Sequence, residues 1–121
     1  MTRIFLVEPL TDQNKVELLS KHGELFPLTE VATYPMPAVW NTYEMSKWIQ
    51  DTMEVLKSRG QQFDYKKDYL ALVGNMVALA NLLVTVAVWC ETPYSVRCLS
   101  YSRKNSDGEY AHVCLEEYVP T

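Results

Sequence analysis

From Tyr69 through Cys90 the chain carries no charged side chain, and this run constrains the fold more than any other segment. As one continuous helix at ~1.5 Å per residue it would reach about 33 Å, enough to cross a hydrocarbon core of about 30 Å. Its interior argues against a span. Gly74-Asn75 interrupts the run in the manner of a strand end, a turn and a helix N-cap. Asn81 would set a further amide in lipid. The flanks, Lys66-Lys67-Asp68 and Glu91, give no orientation signal. The run reads as a central buried strand, Tyr69–Val73, followed by a buried helix, Asn75–Val88. No membrane association is expected.

Charge elsewhere is thinly and evenly spread. Among 121 residues, 15 Asp and Glu outweigh 11 Lys and Arg, giving a net charge of −4. No basic run exceeds Lys66-Lys67 or Arg103-Lys104, which argues against a nucleic-acid surface. Mimicry of DNA would need a far denser acidic face. The three cysteines, Cys90, Cys98 and Cys114, are an odd number and point to a reducing, cytoplasmic setting. The opening residues lack the apolar core of a secretory signal and read as a first strand, Ile4–Val7, closed by Glu8-Pro9.

Thr11 offers an N-cap to a helix over Asp12–Lys21, with Gly23 as its stop. Pro27, Pro35 and Pro37 then forbid a helix across Glu24–Val39 and limit any strand to an edge piece, such as Glu30–Tyr34. Asn41–Arg59 is the clearest helix. Met45, Trp48, Ile49, Met53 and Leu56 form one apolar stripe, Asn41 and Glu44 match a capping box, and Gly60 ends the helix. Ser95–Ser102 and Tyr110–Val119 are β-rich runs about an Asn105-Ser-Asp-Gly108 turn, a hairpin signal. A register pairing Asn105 with Glu109 would put Leu99 and Tyr101 on one face with Val113 and Leu115. The opposite face would then hold Cys98, His112 and Cys114. The fold expected is a single α/β (or α+β) domain over residues 1–121. It has a mixed sheet of four to five strands, a long amphipathic helix, a buried helix and a C-terminal hairpin.

Four constellations could carry chemistry. The Gly74-Asn75 junction opens a helix, where backbone N–H groups can hold a phosphate, with Lys66, Lys67 or Arg103 to neutralise it. Neither a dinucleotide-binding nor a P-loop glycine pattern accompanies it, and a plain turn and cap explain it more simply. Cys98, Cys114 and His112 could face a zinc ion, yet no CxxC spacing occurs and buried cysteine is the ordinary reading, so no metal is expected. His22 and His112 lack a nucleophile partner in any recognisable frame, which argues against an enzyme, and no cofactor is expected. Tyr34, Met36, Trp40 and Tyr43 gather about a Pro-Met-Pro loop, and such residue types are enriched at interface centres. Closing one end of the core is the competing explanation.

The C-terminal half resembles a group of small α/β proteins encoded by phages and mobile elements. The features are the Asp68-x5-Gly74-Asn75 junction, the apolar helix behind it, and Leu99-Ser-Tyr101-Ser-Arg103 followed by Tyr110. Members of the group tend to carry Trp-Asp-Arg where this chain has Tyr101-Ser102-Arg103. The resemblance implies a small α/β domain in an accessory setting and no particular reaction. The function expected is a non-enzymatic binding protein, such as a phage-type inhibitor of a host protein, acting through Tyr34, Met36, Trp40 and Tyr43. The alternative is a nucleotide or small phosphorylated ligand, sequestered or turned over at Gly74-Asn75. A homodimer follows if the apolar helix leaves a face uncovered.

Overall fold

The computed structural model describes residues 2–38, 41–89, 96–102 and 109–114. Strand β1 (Arg3–Leu6) leads through helix α1 (Gln13–Ser20) to β2 (Glu24–Pro27) and a short 3-10 turn at Leu28–Glu30. Helix α2 (Thr42–Ser58), β3 (Tyr69–Ala71), α3 (Met76–Trp89), β4 (Arg97–Ser102) and β5 (Glu109–Cys114) follow. The strands lie in the order β2-β1-β3-β4-β5. The first four run parallel, and β5 is antiparallel to β4. The mixed α/β sheet expected from the sequence is present, with the uncharged strand at its centre. The turn at Asn105–Gly108 lies outside the described residues.

Chain direction explains the layers. Parallel strands joined through helices cross over right-handedly, so a chain that builds outward from β1 to β2 and then returns to β3 must change faces. Alternation along each strand supplies both layers. Ile4, Leu6, Tyr69, Ala71 and Leu99 pack with Leu19 of α1. Phe5, Val7, Leu70 and Cys98 join the buried faces of α2 and α3 on the other side. A strand covered on both faces has no reason to alternate apolar with polar, which is why Ile4–Val7 is an unbroken apolar run.

Helix α2 starts where expected. The Asn41 side chain accepts from the Glu44 N–H at 3.0 Å, and Gly60, at φ +68, follows the C-cap in a conformation that favours glycine. All five stripe residues are buried, together with Thr52, whose hydroxyl donates to the Trp48 carbonyl at 2.8 Å. Each large side chain in that stripe contributes roughly 1.5–3 kcal/mol of transfer free energy. Truncating Trp48 to alanine would remove about 3–5 kcal/mol.

The join between β1 and β3 is polar. Asp68 is 1% exposed and accepts from the Arg3 N–H (3.1 Å), Arg3 Nη2 (2.9 Å) and the Asp64 N–H (2.8 Å). Arg3 also donates to the carbonyls of Gln61 and Gln62, and its guanidinium lies over the Phe5 and Phe26 rings. One side chain thereby ties the first strand to the loop that leads into the central strand.

Three expectations are corrected. The N-cap of α1 is Asp12, not Thr11. Its carboxylate accepts from the Asn14 and Lys15 N–H groups, and a charged acceptor there also suits the positive helix end. Gly23 does not stop that helix, whose last residue is Ser20 and whose C-cap is Lys21. It lets the chain pass Thr2, since a Cβ at Gly23 would lie 2.8 Å from the Thr2 carbonyl oxygen. The proline-rich stretch makes its strand at Glu24–Pro27 and not at Glu30–Tyr34. The edge position of β2 tolerates Pro27, whereas Glu30 closes the 3-10 turn.

Candidate functional site

The strand order creates one place where a ligand is expected on general grounds. Connections leave β1 and β3 in opposite directions across the sheet, so a crevice opens outside the carboxyl ends of these two strands. Glu8 to Asp12 and Leu72 to Asn75 border it. Gly74 has φ +103 and open space around it, so it serves the turn from β3 into α3. The Asn75 side chain accepts from the Val77 and Ala78 N–H groups at 3.0 and 3.1 Å. Those N–H groups are the ones an anion would need. On the β1 side Asp12 follows the strand, its Oδ1 taken up by the Asn14 and Lys15 N–H groups as the N-cap of α1.

Lys66 and Lys67 are not part of this crevice. They occupy the turn before β3, at its amino end, while Gly74 and Asn75 follow its carboxyl end. Lys66 lies over the Tyr65 ring instead. The backbone direction of β3 settles this separation, because a strand delivers its two flanks to opposite edges of the sheet. Arg103 lies outside the described residues.

The expected Cys98, His112 and Cys114 grouping is also split. Cys98 pairs with Val113, and Leu99 pairs with His112. By strand alternation the His112 and Cys114 positions therefore belong to the face of Leu99, opposite that of Cys98. The register is offset by an odd number of residues from the one expected, and such an offset exchanges the faces. Cys98 is buried in the core beneath α2 and α3, with its Sγ 3.9 Å from the Val96 carbonyl oxygen. Among the described residues no group of His, Cys, Asp and Glu could hold a metal ion. His22 follows the end of α1, and its ring meets Tyr69 edge-on at 6.5 Å.

The proline loop fares better as a built surface. Trp48 donates its indole N–H to the Tyr34 carbonyl at 2.8 Å, and the Tyr34 hydroxyl donates to Asp51 at 2.7 Å. That hydrogen bond, with the neighbouring negative charges of Asp51 and Glu44, raises the phenol from its ordinary 10.0 to about 12. Two anchors on α2 thus fix the start of the loop, and Met36 packs partly into the core. A groove of about 470 Å³ remains between Tyr34–Pro37 and the α2 residues Glu44 and Lys47. Tyr43, next to Glu44, is 78% exposed. Trp40 lies outside the described residues.

A second surface comes from the uncharged run itself. Helix α3 buries Ala78, Leu79, Leu82, Thr85 and Val86 against the sheet and α2. Its outer side presents Met76, Ala80, Val84 and Val88, of which Met76, Val84 and Val88 are 76%, 62% and 73% exposed. The helix's polar side chains turn inward on its own backbone: Asn81 donates to the Val77 carbonyl and Thr85 to the Asn81 carbonyl. The i, i+4 recurrence of these four residues was visible in the sequence. A wholly apolar helix, however, does not reveal which side faces the sheet. No helix among the described residues is long and apolar enough to cross a membrane.

Comparison of the chain with protein-family models, with curated proteins and with solved structures finds no match.

Proposed function

We propose that this chain is a non-enzymatic protein-binding domain whose groove beside the proline loop receives a partner, as an inhibitory or accessory factor would. The observation that carries the reading is the anchoring of Tyr34 from both its carbonyl and its hydroxyl. This anchoring holds an apolar groove open beside the exposed Tyr43. A preorganised loop loses little entropy on binding, which lets a small surface hold a partner. Glu44 and Lys47 line the groove with both signs, so a partner can be selected by charge as well as shape. The odd cysteine count suits a cytoplasmic protein.

The test is affinity capture from a bacterial lysate with the wild-type chain, Tyr43→Ala and Lys47→Glu as parallel baits. Both positions are exposed, so the fold tolerates either change. A stoichiometric partner held by the wild type and lost from both variants supports the reading. Recovery of no stoichiometric partner, or equal recovery by all three baits, refutes it.

Strand order favours a second reading, a nucleotide or small phosphorylated ligand in the crevice between β1 and β3, next to Gly74 and Asn75. It ranks below the first because Asn75 already occupies the N–H groups that would hold a phosphate. Nucleotide absorbance carried through purification would raise it. A clean protein spectrum with no thermal shift across a nucleotide panel would end it.

A further inference from the structure

We infer that the groove between α2 and α3 receives a basic amphipathic helix from a partner protein. The apolar side of that helix lies on α3, and its Lys or Arg side chains lie beside Asp51 and Glu54 of α2. The inference does not rest on the groove beside the proline loop. Shape, charge and spacing carry it.

Two hollows lie in line along α3. One of about 420 Å³ is bordered by Thr42, Met76, Val77 and Ala80, and one of about 330 Å³ by Gln50, Asp51, Glu54 and Val88. Val84 stands between them and lines both. Thr42 and Met76 open their helices, whereas Glu54 and Val88 lie near the ends of theirs, so the groove follows α3 for most of its length. The Asn81 amide N–H and the Thr85 hydroxyl already donate to backbone carbonyls of α3. An occupant therefore meets an apolar floor, on which Met76, Val84 and Val88 are exposed.

Charge selects the chemistry of the occupant. Asp51 and Glu54 border the second hollow, and neither is in a salt bridge among the described residues. No described Lys or Arg lines either hollow. Lys47 lines the groove beside the proline loop, and Lys57 lies beyond Glu54 along α2. The chain as a whole carries −4. A cationic partner is steered toward such a rim and an acidic one is turned away. Two copies of this chain would set like charges against each other there, and an anionic lipid surface is repelled in the same way.

Spacing selects a helix. The hollows are centred near Ala80 and near the turn that joins Val84 to Val88, roughly 10 Å apart at about 1.5 Å per residue. Side chains seven apart on a helix have that separation and share a face, as in other helix-in-groove contacts. An extended chain covers the same distance in about three residues, which puts the two side chains on opposite faces. The 14 residues of α3 extend about 21 Å, so a helix of about four turns fills the groove. A contact of this size is weak and transient, with micromolar affinity.

The probe is a fluorescein-labelled synthetic peptide as long as α3, with Leu at i, i+3, i+4, i+7 and i+11 and Lys elsewhere. It is titrated with the full chain over about 1–500 µM and read by anisotropy at about 0.15 M salt, where charges more than about 8 Å away are screened. Saturable binding is expected, about tenfold or more tighter than that of a counterpart with Glu in place of Lys. Glu54→Lys weakens it about tenfold, and Val84→Gln about fivefold. Glu17→Lys on α1 changes the net charge as Glu54→Lys does, yet it leaves binding within about twofold. All three positions are exposed, and circular dichroism verifies that each variant folds. No binding, equal weakening by Glu17→Lys and Glu54→Lys, or equal binding of the Glu counterpart overturns the inference. So does a wild-type mass that doubles with concentration in sedimentation equilibrium, which assigns the face to a second copy. Sedimentation of the chain with neutral phosphatidylcholine vesicles overturns it too, in favour of lipid.

Discussion

Replacing Asp68 by asparagine tests the reasoning about the β1–β3 join, because shape is kept while the charge is lost. In the wild type Oδ1 accepts from the Arg3 N–H, and Oδ2 accepts from Arg3 Nη2 and the Asp64 N–H. An amide has only one oxygen. If that oxygen keeps the two Oδ2 bonds, the amide nitrogen faces the Arg3 N–H, donor against donor. The orphaned N–H costs about 1–3 kcal/mol, and the two surviving bonds lose about 0.5 kcal/mol each as they cease to be charge-assisted. The Arg3 guanidinium contributes less to the loss, because its side chain is 20% exposed and keeps the Gln61 and Gln62 carbonyls. The sum is about 3 kcal/mol. With a urea m-value of about 1.5 kcal/mol/M, the midpoint falls by about 2 M, and the melting temperature by roughly 10–15 °C. Urea titrations followed by tryptophan fluorescence and circular dichroism measure the shift. Asp64→Asn is the control: its side chain accepts only an exposed N–H from Lys66, so the expected cost is below about 1 kcal/mol. A midpoint shift under about 0.5 M for Asp68→Asn, at unchanged m, would refute the argument that a buried carboxylate organises this join.

At Asn75, alanine removes the N-cap of α3 and costs about 1 kcal/mol, whereas aspartate keeps the acceptor, suits the helix dipole and costs nothing in thermal or urea unfolding. At Gly74, alanine must adopt φ +103 and costs about 1–2 kcal/mol by strain alone, with no steric clash to add to it. Tyr34 titrates late. Its folded value of about 12 lies above the ordinary 10.0, so the neutral phenol stabilises the fold at every pH below 10 and that contribution fades as pH rises through 12. Spectrophotometric titration should show a tyrosine step near 12 that Tyr34→Phe abolishes and Asp51→Asn moves back toward 10.0.

The elements legible in the sequence are those with one periodicity and a marked end. Helix α2 has both: a stripe from Met45 to Leu56, an asparagine cap and a terminal glycine. The central strand was legible because a charge-free segment ending at Gly74 has no place at a sheet edge. The strand of the proline region was misplaced because sequence gives no weight to edge position. Pro27 is acceptable in β2 only because its missing N–H faces away from β1. The register of β4 on β5 was equally out of reach. Turn residues suggest a hairpin, but an odd offset in its length moves Cys98 away from His112 and Cys114 without changing any residue.

The candidate sites divide along the same physical line. Gly74 and Asn75 were identified by residue type, and residue type alone cannot distinguish a cap that holds its own helix from one that holds a ligand. Only the bonds to Val77 and Ala78 make the distinction. Lys66 and Lys67 joined the list through nearness in sequence, which a strand converts into distance across the sheet. Which residues of α3 would form an uncovered face was not legible for the opposite reason. In a doubly wound sheet an outer helix ordinarily signals its solvent side by charge, and here Met76, Ala80, Val84 and Val88 stand where charges would be. Burying that ridge would remove apolar surface that the monomer leaves in water. The absence of charge from Tyr69 through Cys90 is therefore only partly accounted for by the core of one chain. The sheet and α2 account for the buried half of α3, whereas Met76, Val84 and Val88 stay exposed on its outer half.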